Sequence, residues 1–150
     1  MSVDIIQYPL LTLMVVPLAG AVCCLLTKRL GTTAPMITGA LFILAQLALL
    51  LLLAASPRIE GTLYHAEQYP WLTVFQVSVD LQLDGLNLYP LCAIALLALA
   101  ALLISADRAP VSATSLFASA APQLAAAIMF LETSLVALFL TVDLLFFAGL

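Results

Sequence analysis

A chain of 150 residues that is 65% apolar and only 8% charged cannot cover a water-soluble surface, because an ordinary soluble domain carries about 25% charged residues. Mean hydropathy of +1.24 points to a lipid environment. The formal net charge of -4 says little about partners, since Glu60, Glu67, Asp80 and Asp84 fall in one polar segment, and no nucleic-acid partner is expected.

In chain order, the first uncharged stretch long enough to cross a bilayer is 5–27. Its leading segment carries Asp4 and no Lys or Arg, so it does not read as a cleaved signal peptide. Lys28 and Arg29 follow, and a second apolar run covers 36–55. A third runs over 86–106 and a fourth, rich in Ala and Ser, over 109–131; the fourth qualifies only if it continues through Glu132 to about Val142. The sequence therefore predicts an all-α polytopic transmembrane bundle, a single membrane domain over 1–150. Its spans are expected near 8–27, 36–55, 86–106 and 117–142, with a fifth beginning at 144–150 and an outer loop at 56–85.

Within that loop, Phe75, Val77, Val79, Leu81 and Leu83 alternate with Gln76, Ser78, Asp80, Gln82 and Asp84, the period of a half-buried strand. Asp84-Gly85 gives a turn signal before the third span. Tyr69-Pro70-Trp71 suits the headgroup region, where aromatic rings are enriched. An isolated strand is unstable, so this extracytoplasmic segment pairs either within the loop, as a hairpin over its own helices, or with another chain.

Pro17, Pro90 and Pro122 lie inside apolar runs, where neighbouring helices re-satisfy the freed carbonyl and a kink is the usual result. Pro90, after Asn87 and Tyr89, is either such a kink or a functional bend. Lys28, Arg29 and Arg108 fall in short connections on one side and only Arg58 on the other, which places the amino terminus and 56–85 outside.

Two carboxylates stand out between Leu124 and Leu150, where they are the only charges. Placing an ionisable group at membrane depth costs roughly 2.5 kcal/mol or more, so such groups usually have a function, and proton or ion movement is the first hypothesis. If one helix carries both, Glu132 and Asp143 are eleven residues apart, about three turns or roughly 16 Å, and return to the same face. Glu132 is either a proton-relay acid or a structural hydrogen-bonding group. Asp143 is either a second relay acid or a cap for a following helix.

No phosphate loop, metal cluster or nucleophile with a base appears. Cys23, Cys24 and Cys92 lie in apolar runs without metal-ligand spacing and read as small buried hydrophobes. His65, the one histidine, lies in the outer loop without companions for a metal. Any redox centre is expected in another polypeptide.

Tyr69-Pro70-Trp71-Leu72, the alternating strand and Leu83-Asp84-Gly85-Leu86-Asn87-Leu88 resemble the start of the antiporter-like membrane subunits of respiratory complex I, the proton-pumping NADH-quinone oxidoreductase. So does the stretch from Phe130-Leu131-Glu132-Thr133-Ser134 through Thr141-Val142-Asp143-Leu144-Leu145-Phe146-Phe147, which is most like the chain M branch. Related cation/proton antiporter and membrane-hydrogenase subunits share much of the pattern.

The resemblance implies a multi-pass inner-membrane subunit that conducts protons and holds no cofactor. NADH, flavin, iron-sulfur clusters and quinone would be handled by partner subunits, and the chain's own partners would be other membrane subunits and the lipid bilayer. In that family the fourth helix ends at the aspartate matching Asp143, and helix five carries a functional glutamate. This chain stops seven residues after Asp143, so that glutamate, the lysine of helix seven and the later relay residues have no counterpart to assign. The terminal run 144–150 spans about 10 Å as a helix, against a hydrocarbon core of about 30 Å, so the chain is expected to be the amino-terminal portion of a longer subunit or half of a split one. A non-conducting scaffold that holds neighbouring subunits together remains the reading from a different class.

Overall fold

Proline placement sets the starts of the first two helices. Pro9 and Pro35 both sit in a first helical turn, where the missing N–H is not needed and the fixed φ is already helical. The computed structural model describes residues 8–27, 31, 33–57, 63–72, 77–107 and 116–141. Helix α1 is Pro9–Leu26 and α2 is Ala34–Ala54; strands β1 (Leu63–Leu72) and β2 (Val77–Asp84) follow, then α3 (Gly85–Asp107) and α4 (Leu116–Leu140). Each of the four helices is long and apolar enough to cross a membrane. The protein is a multi-pass membrane protein with an all-α bundle and, among the described residues, one small two-stranded sheet.

Helices α1, α2, α3 and α4 each pack on the next, α4 closes the ring against α1, and α2 meets α4 across the middle. Leucines such as Leu41, Leu52, Leu97 and Leu131 remain exposed on the outer surface. Apolar residues on all sides are what a lipid-facing helix requires, and an amphipathic stripe is what it lacks. Pro17, Pro90 and Pro122 all lie inside their helices without ending them.

The alternation expected at 75–84 forms a strand over Val77–Asp84, and it pairs within the loop: β1 and β2 are antiparallel, with His65 opposite Leu83, Glu67 opposite Leu81 and Tyr69 opposite Val79. Opposed residues share a face. That face turns to the bundle, since Leu81 and Leu83 are buried against Leu10, Leu13, Leu50, Leu53, Leu91, Val136 and Leu140. Burying each leucine away from water contributes about 1.5–3 kcal/mol, whereas between lipid-embedded helices close packing holds the contacts. The ladder slips between Pro70 and Leu72, which is where a residue without an N–H is tolerated.

Asp84-Gly85 is a strand-to-helix junction and not the expected turn. Asp84 Oδ1 accepts the N–H groups of Leu86 at 3.1 Å and Asn87 at 2.7 Å, capping α3 directly after the strand. Helix α2 starts two residues earlier than hydropathy alone suggests because Ala34 and Pro35 form its first turn. Within β2, Leu81 makes an isolated antiparallel bridge to Thr141, just past α4. The hairpin thus sits over the amino ends of α1 and α3 and the carboxyl ends of α2 and α4. Lys28, Arg29, Arg58, Arg108, Asp143 and the expected fifth-span start at 144–150 lie outside the described residues.

Candidate functional site

Gly20 fixes the level at which three helices meet. A Cβ there would meet Phe42 Cβ of α2 at 2.9 Å and the Met129 Cε of α4, so α1 lies against both with backbone at the contact. One helical turn toward the hairpin, the same three faces present Pro17, Gln46 and Glu132, and all three are buried. Glu132 is 1% exposed and Gln46 2%, and they are the buried polar residues of the bundle interior among those described.

This layer divides the core. On one side lies the cluster of Ala21, Cys24, Ile43, Leu102, Ala125 and Met129; on the other lies that of Leu10, Leu13, Leu50, Val136 and Leu140. Glu132 is eight residues from the end of α4 and Gln46 eight from the end of α2, which sets both about 12 Å below the hairpin end, near mid-span. Each is closed off above and below by apolar side chains.

Neither oxygen of the Glu132 carboxyl has a hydrogen-bond partner among the described residues, and neither does Gln46 Oε1. The hydroxyls next to Glu132 are engaged on their own helix: Thr133 donates to the Met129 carbonyl at 2.9 Å and Ser134 to that of Phe130 at 3.1 Å. No Lys or Arg occurs within any of the four helices, so nothing on them neutralises a charge here. Pro17 brings no N–H, which releases the Leu13 carbonyl from its usual helical bond close to this level.

Of the two acids singled out in the sequence, Glu132 occupies this layer and Asp143 lies outside the described residues. Gln46 is the member that sequence reasoning missed. The signal was present, because Gln46 is the one polar side chain in the run 39–55.

A second polar group lies at the hairpin end. Glu67 reaches from β1 to the first turn of α1, accepting the Leu10 N–H at 2.7 Å on Oε1 and the Leu11 N–H at 3.1 Å on Oε2, while the Tyr69 hydroxyl donates to Oε2 at 2.7 Å. Burial first, and then the bond to the Glu67 carboxylate, hold the Tyr69 phenol pKa above its ordinary value. His65 Nε2 and Thr141 Oγ1 are also buried at this end, without a partner among the described residues. The three cysteines are free thiols; Cys24 is buried and its Sγ donates to the Pro35 carbonyl at 3.2 Å, a packing role. Among the described residues no group of three or more His, Cys, Asp or Glu could hold a metal ion.

No family model matches the chain, and no curated protein matches it.

Proposed function

We propose that this chain is a proton-translocating membrane subunit of an NADH-quinone oxidoreductase, respiratory complex I, most like its chain M. Its share of the work is proton movement, coupled to quinone reduction that partner subunits carry out with NADH, flavin and iron-sulfur clusters. The inner membrane is its proposed location.

The observation that carries this reading is a carboxyl group, Glu132, 1% exposed and without a partner among the described residues, in the middle of a helix long enough to span the membrane. An ionisable group there costs roughly 2.5 kcal/mol or more, and a purely structural residue at that position would be better apolar. The motif resemblance around Leu83 to Leu88 and Phe130 to Phe147 supplies the family, and the bundle supplies a dry setting in which a proton can be held.

The test is Glu132→Gln in the complete complex, with proton uptake into inside-out vesicles followed beside oxidoreductase turnover. A lower proton-to-electron ratio with the complex still assembled is the expected result, and Glu132→Asp should retain part of the function. An undiminished ratio would reduce Glu132 to a structural group and favour the scaffold reading. Pumping that persists with another cation and without NADH oxidation would move the chain to the cation/proton antiporters or membrane hydrogenases.

A further inference from the structure

We infer that Glu132 and Gln46 form one proton-binding site at the middle of the bundle, in which the Gln46 side-chain amide is the hydrogen-bonding partner of the Glu132 carboxyl. The inference deepens the transport reading and rests on it for its functional consequence.

Geometry sets the two at one level on helices that pack together. Phe42 and Met129 both meet the backbone of α1 at Gly20, and Gln46 and Glu132 stand about one turn farther along the same faces of α2 and α4. Those two helices pack directly on each other. Both side chains are nine-tenths or more buried, and each lies between the same two apolar clusters.

The chemistry of the layer then selects the ligand. Glu132 Oε1, Glu132 Oε2 and Gln46 Oε1 are acceptors without a donor among the described residues. One proton on the carboxyl converts it into a donor, and its O–H then bonds to the amide oxygen of Gln46. When the proton leaves, rotation of the amide presents its NH2 group to the carboxylate. Gln46 therefore serves both protonation states, which an apolar residue cannot do and a fixed cation would prevent. A divalent cation is a poorer fit, since calcium takes 6–8 oxygen ligands and one carboxylate with one amide falls well short. The clusters above and below exclude water that would otherwise compete for the carboxyl.

Gln46 is thus a positioning residue for Glu132, and infrared spectroscopy of the native membrane assembly tests it directly. The Glu132 carboxyl C=O stretch is identified as the band lost in Glu132→Gln. In the wild type it should lie where hydrogen-bonded carboxyls absorb; in Gln46→Leu it should move to the free-carboxyl position, and in Gln46→Glu, which retains an acceptor, it should return. Gln46→Met, closer in shape, gives the same reading if the leucine variant does not assemble. A wild-type band already at the free-carboxyl position, or one that ignores the loss of the amide, would overturn the pairing while leaving the pumping result for Glu132→Gln intact. A band that moves as expected alongside undiminished pumping in Glu132→Gln would retain the site and reject its transport role.

Discussion

Glu67 Oε1 accepts the backbone N–H of Leu10 at 2.7 Å across 57 residues of sequence. This bond couples the hairpin to the first membrane helix. The first turn of a helix has N–H groups without helical partners and a partial positive charge, so a carboxylate from another element satisfies both at once. Because α1 begins at Pro9 with no side-chain cap from Tyr8, the hairpin supplies what the helix lacks.

Replacing Glu67 with Ala should therefore destabilise the amino end of α1 by about 1–2 kcal/mol. Hydrogen exchange should show the Leu10 and Leu11 amides losing protection while the middle of α1 keeps its own. Uniform loss along the helix, or none, would contradict the capping role.

Tyr69 gives the hairpin a pH dependence at the alkaline end. Its folded pKa is raised, by burial first and the Glu67 bond second. The neutral phenol's contribution to stability is complete below the unfolded value of about 10 and is lost as pH rises through the higher folded value. Tyrosinate absorbance should show one late-titrating tyrosine that disappears in Tyr69→Phe and titrates earlier, but not normally, in Glu67→Ala.

The two faces of the hairpin should respond differently to charge. Leu83 is fully buried against the helix ends, so Leu83→Asp places an unpaired carboxylate in an apolar cluster and should cost about 3 kcal/mol or more. Ala66 is exposed on the opposite face, and Ala66→Asp should be nearly silent in thermal unfolding. Equal damage from both would mean that the hairpin does not lie on the bundle as described.

Two glycines at helix contacts should differ as well. A methyl at Gly20 meets the Phe42 Cβ at 2.9 Å, an atom tied to the backbone, whereas at Gly39 the tightest neighbour is the end of a flexible side chain, Leu102 Cδ1 at 2.8 Å. Gly20→Ala should cost about 1–3 kcal/mol by pushing α1 from α2, and Gly39→Ala less, because leucine can rotate away. Comparing thermal unfolding of the two variants in detergent checks the order.

Sidedness follows from Lys28, Arg29 and Arg108, which predict that the hairpin is outside. In a background without Cys23, Cys24 and Cys92, an impermeant maleimide added externally should label Ala66→Cys and leave Thr33→Cys unmodified, both positions being exposed. The reverse pattern would invert the orientation.

Much of this protein is legible in one dimension. Hydropathy locates the four helices because crossing a bilayer demands a long apolar run whatever surrounds it. Alternation likewise reveals β2, since a strand with one buried face must repeat every second residue. Glu132 is conspicuous because a lone acid in such a run is costly in any fold.

Tertiary structure decided what those elements do to each other. Whether β2 paired within its loop, that Glu67 would cap α1, and that Asp84 would cap α3 where a turn was expected all depend on where chain segments come together. The placing of Gln46 and Glu132 at one level near mid-span is the clearest case. Their separation in sequence carries no period, and it is the packing of α2 on α4 that sets those faces at one level, next to the level that Gly20 of α1 marks. Local physics sets which residues must leave water, and packing sets which of them become neighbours.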